Sequence, residues 1–182
     1  LEEYQFMLVI KKYFNFVIII LLLTSNYCYS DNLNILFEKL FNAKNIQKAK
    51  QLEDEIWNNW TKHPNNDYLT NKLENGTYSM YQQQYRIALK LFTDVINEDP
   101  KWAEGWNKRA TLLFILGDYE KSLDDIDKVL DLEPRHFGAL SGRAQIYLSL
   151  KEYEKAVDDL RKAKSIYPVS YTHLRAHETH TN

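Results

Sequence analysis

Cysteine occurs once in 182 residues, at Cys28, with five glycines and four prolines. One thiol excludes an intrachain disulfide and a thiolate metal cluster. If the chain is cut after Ser30, no thiol remains for a cysteine nucleophile. Scarce Gly and Pro, beside 45% hydrophobic and 26% charged residues, exclude a largely disordered chain. Neither sign of charge dominates: 23 Lys and Arg stand against 25 Asp and Glu. No basic excess points to nucleic acid, and no acidic block suggests a tail. No Gly-rich phosphate loop, Ser/His/Asp set or metal-ligand cluster is visible, so the reading is non-enzymatic and without cofactor. Carboxylates paired only in space stay open, since sequence does not display them.

Long hydrophobic runs are also missing. The longest apolar segment, Phe14 to Leu23, is broken only by Asn15 and falls short of the roughly 20 residues that span a bilayer. Lys11 and Lys12 precede it, and Cys28-Tyr29-Ser30-Asp31 follows. A basic flank, a short apolar core and a small-residue site form a secretory signal. Residues 1–30 are therefore read as upstream sequence before Met7 plus a signal peptide cleaved after Ser30. The expected location is periplasmic or secreted, with membrane contact only through the uncleaved signal. An uncleaved anchor and a buried core helix are the competing readings. Ser25-Asn26-Tyr27 before Cys28 fits a lipoprotein signal badly.

What is present is a period of 34. Pro100, Pro134 and Pro168 keep it, as do Tyr85, Tyr119 and Tyr153. So do Ala88, Ser122 and Ala156, then Val95, Val129 and Ala163, and Gly76, Ala110 and Ala144. Inside the middle unit, 103–136, Trp106, Ala110, Leu113 and Phe114 recur at helical spacing up to Leu116. Gly117-Asp118 makes a turn, and Tyr119, Ser122, Leu123, Ile126 and Val129 form a second helix. Glu133-Pro134 ends it. Units 69–102 and 137–168 repeat the plan, the latter turning at Lys151-Glu152. Ala110 and Ser122 should lie where paired helices approach most closely. A repeat of this length stacks helix pairs.

These residues resemble the tetratricopeptide repeat. Trp106, Ala110, Gly117, Tyr119, Leu123, Ile126 and Pro134 fall where that family places such residues, and 69–102 matches more loosely. The segment from Glu104 to Leu140 is similar to secreted or periplasmic bacterial repeat proteins without an assigned activity. The resemblance implies an all-α fold, a right-handed α-solenoid whose first helices line a concave groove. It also implies adaptor or scaffold function. Residues 31–68 form two further apolar stripes, read as a degenerate repeat capping the N-terminal end. Trp57 and Trp60 then face the 69–81 helix as core, the alternative being an exposed aromatic binding site.

The resemblance assigns groove positions to Leu73, Thr77 and Tyr81, to Asn107, Thr111 and Phe114, and to Ser141, Gln145 and Leu148. The expected partner is an extended peptide or a helix. Phe114 has a competing reading as interhelical packing. Gly138 and Gly142 stand where a carboxylate-clamping relative would place its basic pair. A second function has the repeats as targeting module of a longer enzyme whose catalytic part follows residue 168.

Three sets invite over-reading. His173, His177 and His180 could share a metal, but the zincin spacing is one residue short, and 169–182 looks like translated sequencing-adapter sequence, a non-native tail. Asp124, Asp125 and Asp127 lack the turning backbone of a calcium loop and are expected on a solvated face, with Lys121–Asp125 and Lys155–Asp159 as i,i+4 pairs. His136 is expected to pack or cap rather than act as a base.

Overall fold

The computed structural model describes residues 32–168. The segment read as a signal and the histidine-bearing tail lie outside these residues. The chain divides between Leu36 and Phe37 into two units. Of the first, residues 32–36 are described and are helical.

The second unit begins with helical residues 37–41, here α1. Seven helices follow: α2 Ile46–Thr61, α3 Asp67–Tyr81, α4 Tyr85–Glu98, α5 Ala103–Ile115, α6 Tyr119–Leu132, α7 Phe137–Ser149 and α8 Tyr153–Ile166. Among the described residues there is no strand. The helices pack as the pairs α3–α4, α5–α6 and α7–α8, with α4 on α5 and α6 on α7 joining the pairs. The fold is an all-α solenoid of stacked helix pairs.

Local chemistry sets the helix ends. Asn45, Asn66 and Asp118 each cap a helix by accepting backbone N–H bonds through the side chain, satisfying donors that a helix start leaves open. Gly117 turns with φ +78°. The turns 34 residues away on either side use Gln83 at +58° and Lys151 at +63°. The repeat thus imposes one left-handed turn three times, and only the middle unit supplies the residue that enters it without a Cβ penalty.

The paired helices close on small residues. Ala88, Ser122 and Ala156 are fully buried, and Ser122 Oγ donates to the Ala110 carbonyl at 2.8 Å. One core joins Leu69, Leu73, Phe92, Val95, Trp102 and Leu112. A second joins Ala110, Ile126, Val129, Ala139 and Ile146, with Phe114 and Tyr119 packed against it.

Two expectations change here. The aspartates of the second helices are not all solvated. Asp125 and Asp159 are buried, and each takes a two-pronged bond from an arginine sixteen residues earlier. Arg109 reaches Asp125 at 2.8 Å, and Arg143 reaches Asp159 at 2.7 and 2.8 Å. Each guanidinium also reaches back to the preceding pair, Arg109 to Thr93 and Arg143 to Asp127, so it fastens neighbouring repeats. Lys121 and Lys155 pair instead with Asp118 and Glu152, because the arginines already fill the i,i+4 acids.

The second change concerns α2. It packs against α5, and its tryptophans meet the α6–α7 junction rather than α3. Trp60 stacks on His136 with centroids 4.0 Å apart, and Trp57 meets His136 and Phe137 edge-on at 5.4 and 5.6 Å. The two indole rings are thus packed against aromatic rings at a repeat junction.

Candidate functional site

First helices α5 and α7 stand side by side, with α6 behind them. Between them is a groove of about 280 Å³ lined by Asn107, Ala110, Thr111 and Phe114 of α5, Ser122 and Ile126 of α6, and Gly138, Ala139, Ser141, Gly142, Gln145 and Ile146 of α7. The lining includes Asn107, Thr111, Phe114, Ser141 and Gln145 of the sequence-derived positions. Their i,i+3 and i,i+4 spacings on two helices of equal register put them on one face.

The other four lie elsewhere. Leu73 is buried in the first core beside Trp102. Thr77 is half-buried and donates its hydroxyl to the Leu73 carbonyl. Tyr81 and Leu148 are exposed but line no part of this groove. The first pair fills with Leu73 the register position that Asn107 and Ser141 hold in the later pairs. Phe114 does both things expected of it: it reaches the groove and stacks on Tyr119 at 5.7 Å.

Gly138 and Gly142, which the resemblance puts where a clamp would place its basic pair, both line the groove, but sequence reasoning did not count them among its binding positions. Their i,i+4 spacing was the available signal, since two glycines one turn apart leave a helix face bare. A Cβ at Gly142 would meet nothing within 4 Å, so the groove is open there.

The polar chemistry of the groove starts from a buried carboxylate. Glu104 is held by Lys108 at 3.2 Å and His136 at 3.3 Å. The Asn107 amide nitrogen donates to both of its oxygens at 3.2 and 3.1 Å. Burial pushes the Glu104 carboxyl up, but the His136 hydrogen bond, the Lys108 charge and the Asn107 amide outweigh it and hold the group below the ordinary glutamate range. His136 Nδ1 accepts from the Ala139 N–H at 3.0 Å, which puts the ring hydrogen on Nε2, facing Glu104. His136 is thus the N-cap of α7 as well as a packed ring. Asn107, its donor committed to Glu104, has its amide oxygen left for a ligand. Thr111 donates its hydroxyl to the Asn107 carbonyl.

No lysine, arginine or carboxylate lines this groove. A larger, shallower recess of about 700 Å³ lies over α4, α5 and α6, with Leu89, Trp106 and Leu113 in its floor and both signs of charge around it. None of the sequence-derived positions faces it. Among the described residues no group of three or more His, Cys, Asp or Glu side chains is placed to hold a metal ion. Among the same residues no helix is long and apolar enough to cross a membrane.

Comparison with known proteins follows the geometry. A TPR repeat-containing protein of Rhizobium etli is 35% identical over 105 residues, 58% of this chain and 51% of that protein. The chain therefore spans about half the length of the curated relative it matches. The first TPR of Spaghetti (RPAP3), solved bound to HSP90 peptide SRMEEVD, superposes with a TM-score of 0.55 at 21% identity, over 62% of this chain and 92% of that one. The Arabidopsis OM64 TPR domain gives 0.55 at 20%, over 62% and 93%. The TPR2B domain of yeast Sti1, solved as a complex with pHsp70, gives 0.52 at 23%, over 54% and 78%. At these identities the likeness is one of fold. The family model described as tetratricopeptide repeat matches residues 73–131 and 108–171, together more than half of the chain; the chain belongs to the tetratricopeptide repeat family.

Proposed function

We propose that this protein is a non-catalytic interaction module whose α5–α7 groove holds an extended, uncharged stretch of a partner protein. One observation carries the reading. Two first helices bring five sequence-derived positions to a groove that has an amide acceptor, hydroxyls and an apolar floor, and no charge. An extended peptide offers its backbone N–H to the Asn107 oxygen and an apolar side chain to the bare face at Gly142, beside Phe114. Two solved structures of this fold, the first and second TPR of Spaghetti (RPAP3), hold a peptide. That HSP90 peptide, SRMEEVD, is acidic, and no cation lines this groove to receive it. Export is part of the reading, because of Lys11, Lys12 and the Phe14 to Leu23 segment; the mature protein would start at Asp31.

The test uses Gly142→Trp, whose Cβ meets no atom within 4 Å and whose ring fills the open end. A panel of uncharged, apolar-anchored peptides is expected to contain binders that lose affinity at least tenfold in the variant. SRMEEVD is expected to bind neither protein. Unchanged peptide affinity in a folded Gly142→Trp protein, or binding restricted to acidic peptides, overturns the reading. Asn107→Ala with Phe114→Ala should weaken the same binders, with matched melting curves reporting the contribution of Phe114 to packing. Amino-terminal sequencing of secreted protein tests the start at Asp31.

A further inference from the structure

The segment before the repeats is fastened to three successive repeat junctions, each time through different chemistry. At the first junction, His63 Nε2 lies 2.8 Å from Asp99 Oδ2, and the Trp102 indole donates to the Trp60 carbonyl at 2.9 Å. At the second, His136 and Phe137 receive both tryptophans, and the Arg135 guanidinium lies 4.2 Å from the Phe37 ring centre. At the third, the Tyr167 hydroxyl donates to Glu53 at 3.2 Å. Asp99, Glu133 and Tyr167 are one register position, 34 apart, as are Trp102 and His136. A single helix, α2, thus runs across three structurally equivalent corners.

The corner at α7 is shaped for what it receives. A Cβ on Gly138 would stand 2.5 Å from the Trp57 ring and 2.8 Å from a second ring atom. The residue in that register position one repeat earlier is Glu104, and only glycine leaves the notch that Trp57 enters. The same Gly138 lines the α5–α7 groove, so Trp57 stands at the end of that groove.

Yet α2 is joined to the array differently from the way the repeats join each other. The two cores described above contain none of its residues. It buries Ala49, Leu52, Ile56 and Trp60 as deeply as the repeat helices bury theirs, but its backbone packs on α5 far more sparsely than α4 packs on α5 or α6 on α7. It connects to α3 through 62–66, where Lys62, Pro64, Asn65 and Asn66 are exposed. The docked state also leaves the buried Trp60 Nε1 without an acceptor, a penalty that release into water removes.

We infer that the repeat corners form a helix-binding surface separate from the peptide groove, and that α2 is its tethered, exchangeable occupant. The surface recognises an amphipathic helix with two aromatic residues one turn apart, and its occupancy covers the Gly138 end of the groove. Local opening of a weakly integrated element, with the rest intact, is an ordinary sub-global fluctuation. The inference does not depend on what the groove binds.

Hydrogen exchange on the full chain tests it. Amides of α2 are expected to exchange at least about tenfold faster than those of α5 and α6, and Trp57→Ala is expected to speed α2 by about tenfold again while leaving α4 to α6 unchanged, the size that loss of an aromatic edge contact predicts. A labelled peptide of residues 37–62 is expected to bind the Trp57→Ala, Trp60→Ala chain and to bind wild type at least tenfold more weakly, since there the tethered copy competes. If the double variant does not fold, Glu53→Ala serves in its place; it loosens α2 without touching the aromatic cluster. Exchange of α2 in step with α5 and α6 overturns the inference, because α2 is then part of the cooperative core. So does failure of the peptide to bind a folded variant, or equal binding to variant and wild type.

Discussion

Replacing glycine by alanine in a helix should have opposite signs at two places in this protein. Inside a helix the change gains about 0.8–1 kcal/mol of intrinsic propensity. At Gly142 nothing opposes that gain, because a Cβ there meets no atom within 4 Å. Gly76 looks the safer target from the repeat, since its equivalents are Ala110 and Ala144. The packing argues otherwise. A Cβ at Gly76 would stand 2.6 and 2.9 Å from two ring atoms of Phe92 and 3.3 Å from the Leu91 Cβ. Phe92 is fully buried, so its ring must move into filled space. Overpacking of this kind costs about 1–3 kcal/mol, which exceeds the propensity gain. The net expectation is about 1 kcal/mol lost at Gly76 and about 0.5–1 kcal/mol gained at Gly142. For a chain of this size each kcal/mol moves the melting point by roughly 2–4 °C, so the two variants should differ by about 3–8 °C. Far-UV circular dichroism melts and urea titrations measure it. A double-mutant cycle with Phe92→Leu identifies the cause, since the smaller side chain makes room for the new methyl. Gly76→Ala and Phe92→Leu together should be less harmful than the sum of the two by about 1 kcal/mol. A Gly76→Ala protein that melts as high as Gly142→Ala, or a strictly additive cycle, would refute the α3–α4 crossing described here.

The left-handed turns give a second expectation: Lys151→Gly and Gln83→Gly should each stabilise by about 0.5–1 kcal/mol, and Gly117→Ala should destabilise by about 1 kcal/mol, all read from urea midpoints. Arg143→Lys should cost about 1–3 kcal/mol, because a single ammonium cannot reproduce the fork on buried Asp159 together with the bond to Asp127; an unchanged midpoint would remove the arginine from the inter-repeat link. Glu104 is held below the ordinary value of 4.5, so its contribution is present above that value and is lost as pH falls through the lower folded-state value. Glu104→Gln should therefore flatten the acid limb of a stability-against-pH curve. Burial and the Glu53 charge push the Tyr167 phenol from 10.0 to about 12, so the stability it contributes is complete below pH 10 and lost as pH rises toward 12. Tyr167→Phe should remove that alkaline loss, and unchanged alkaline melting curves in the variant would break the Tyr167–Glu53 link.

The repeats were legible because everything that forms them is local or recurs. Helical spacing placed α5 and α6 within a residue of their observed ends and the turn between α7 and α8 at Lys151-Glu152, and the small residues at 110 and 122 marked a helix contact. The groove was legible for the same reason. Asn107 and Thr111 predict Ser141 and Gln145 as soon as the register is known, and Leu73 misleads only because the first pair fills that position with a core side chain. What was not legible is pairing at distances that no helical rule covers. Arg109 with Asp125 and Arg143 with Asp159 lie sixteen apart, and the i,i+4 rule drew the aspartates toward lysines instead. The 34-residue recurrence of both the arginine and the aspartate was a signal that the local rule obscured. The path of α2 depends on contacts between residues about 75 apart in sequence. An amphipathic helix carries the information that one face is covered, and none about which neighbour covers it. Trp57 and Trp60 could have served a terminal cap equally well. What decides between the two sites is a property of the receiving surface: the missing side chain at Gly138 and the imidazole plane of His136, held in place by the backbone N–H that it caps. The sequence of a repeat protein reads most clearly where each unit meets its copy, and least clearly where a segment outside the period chooses among equivalent corners.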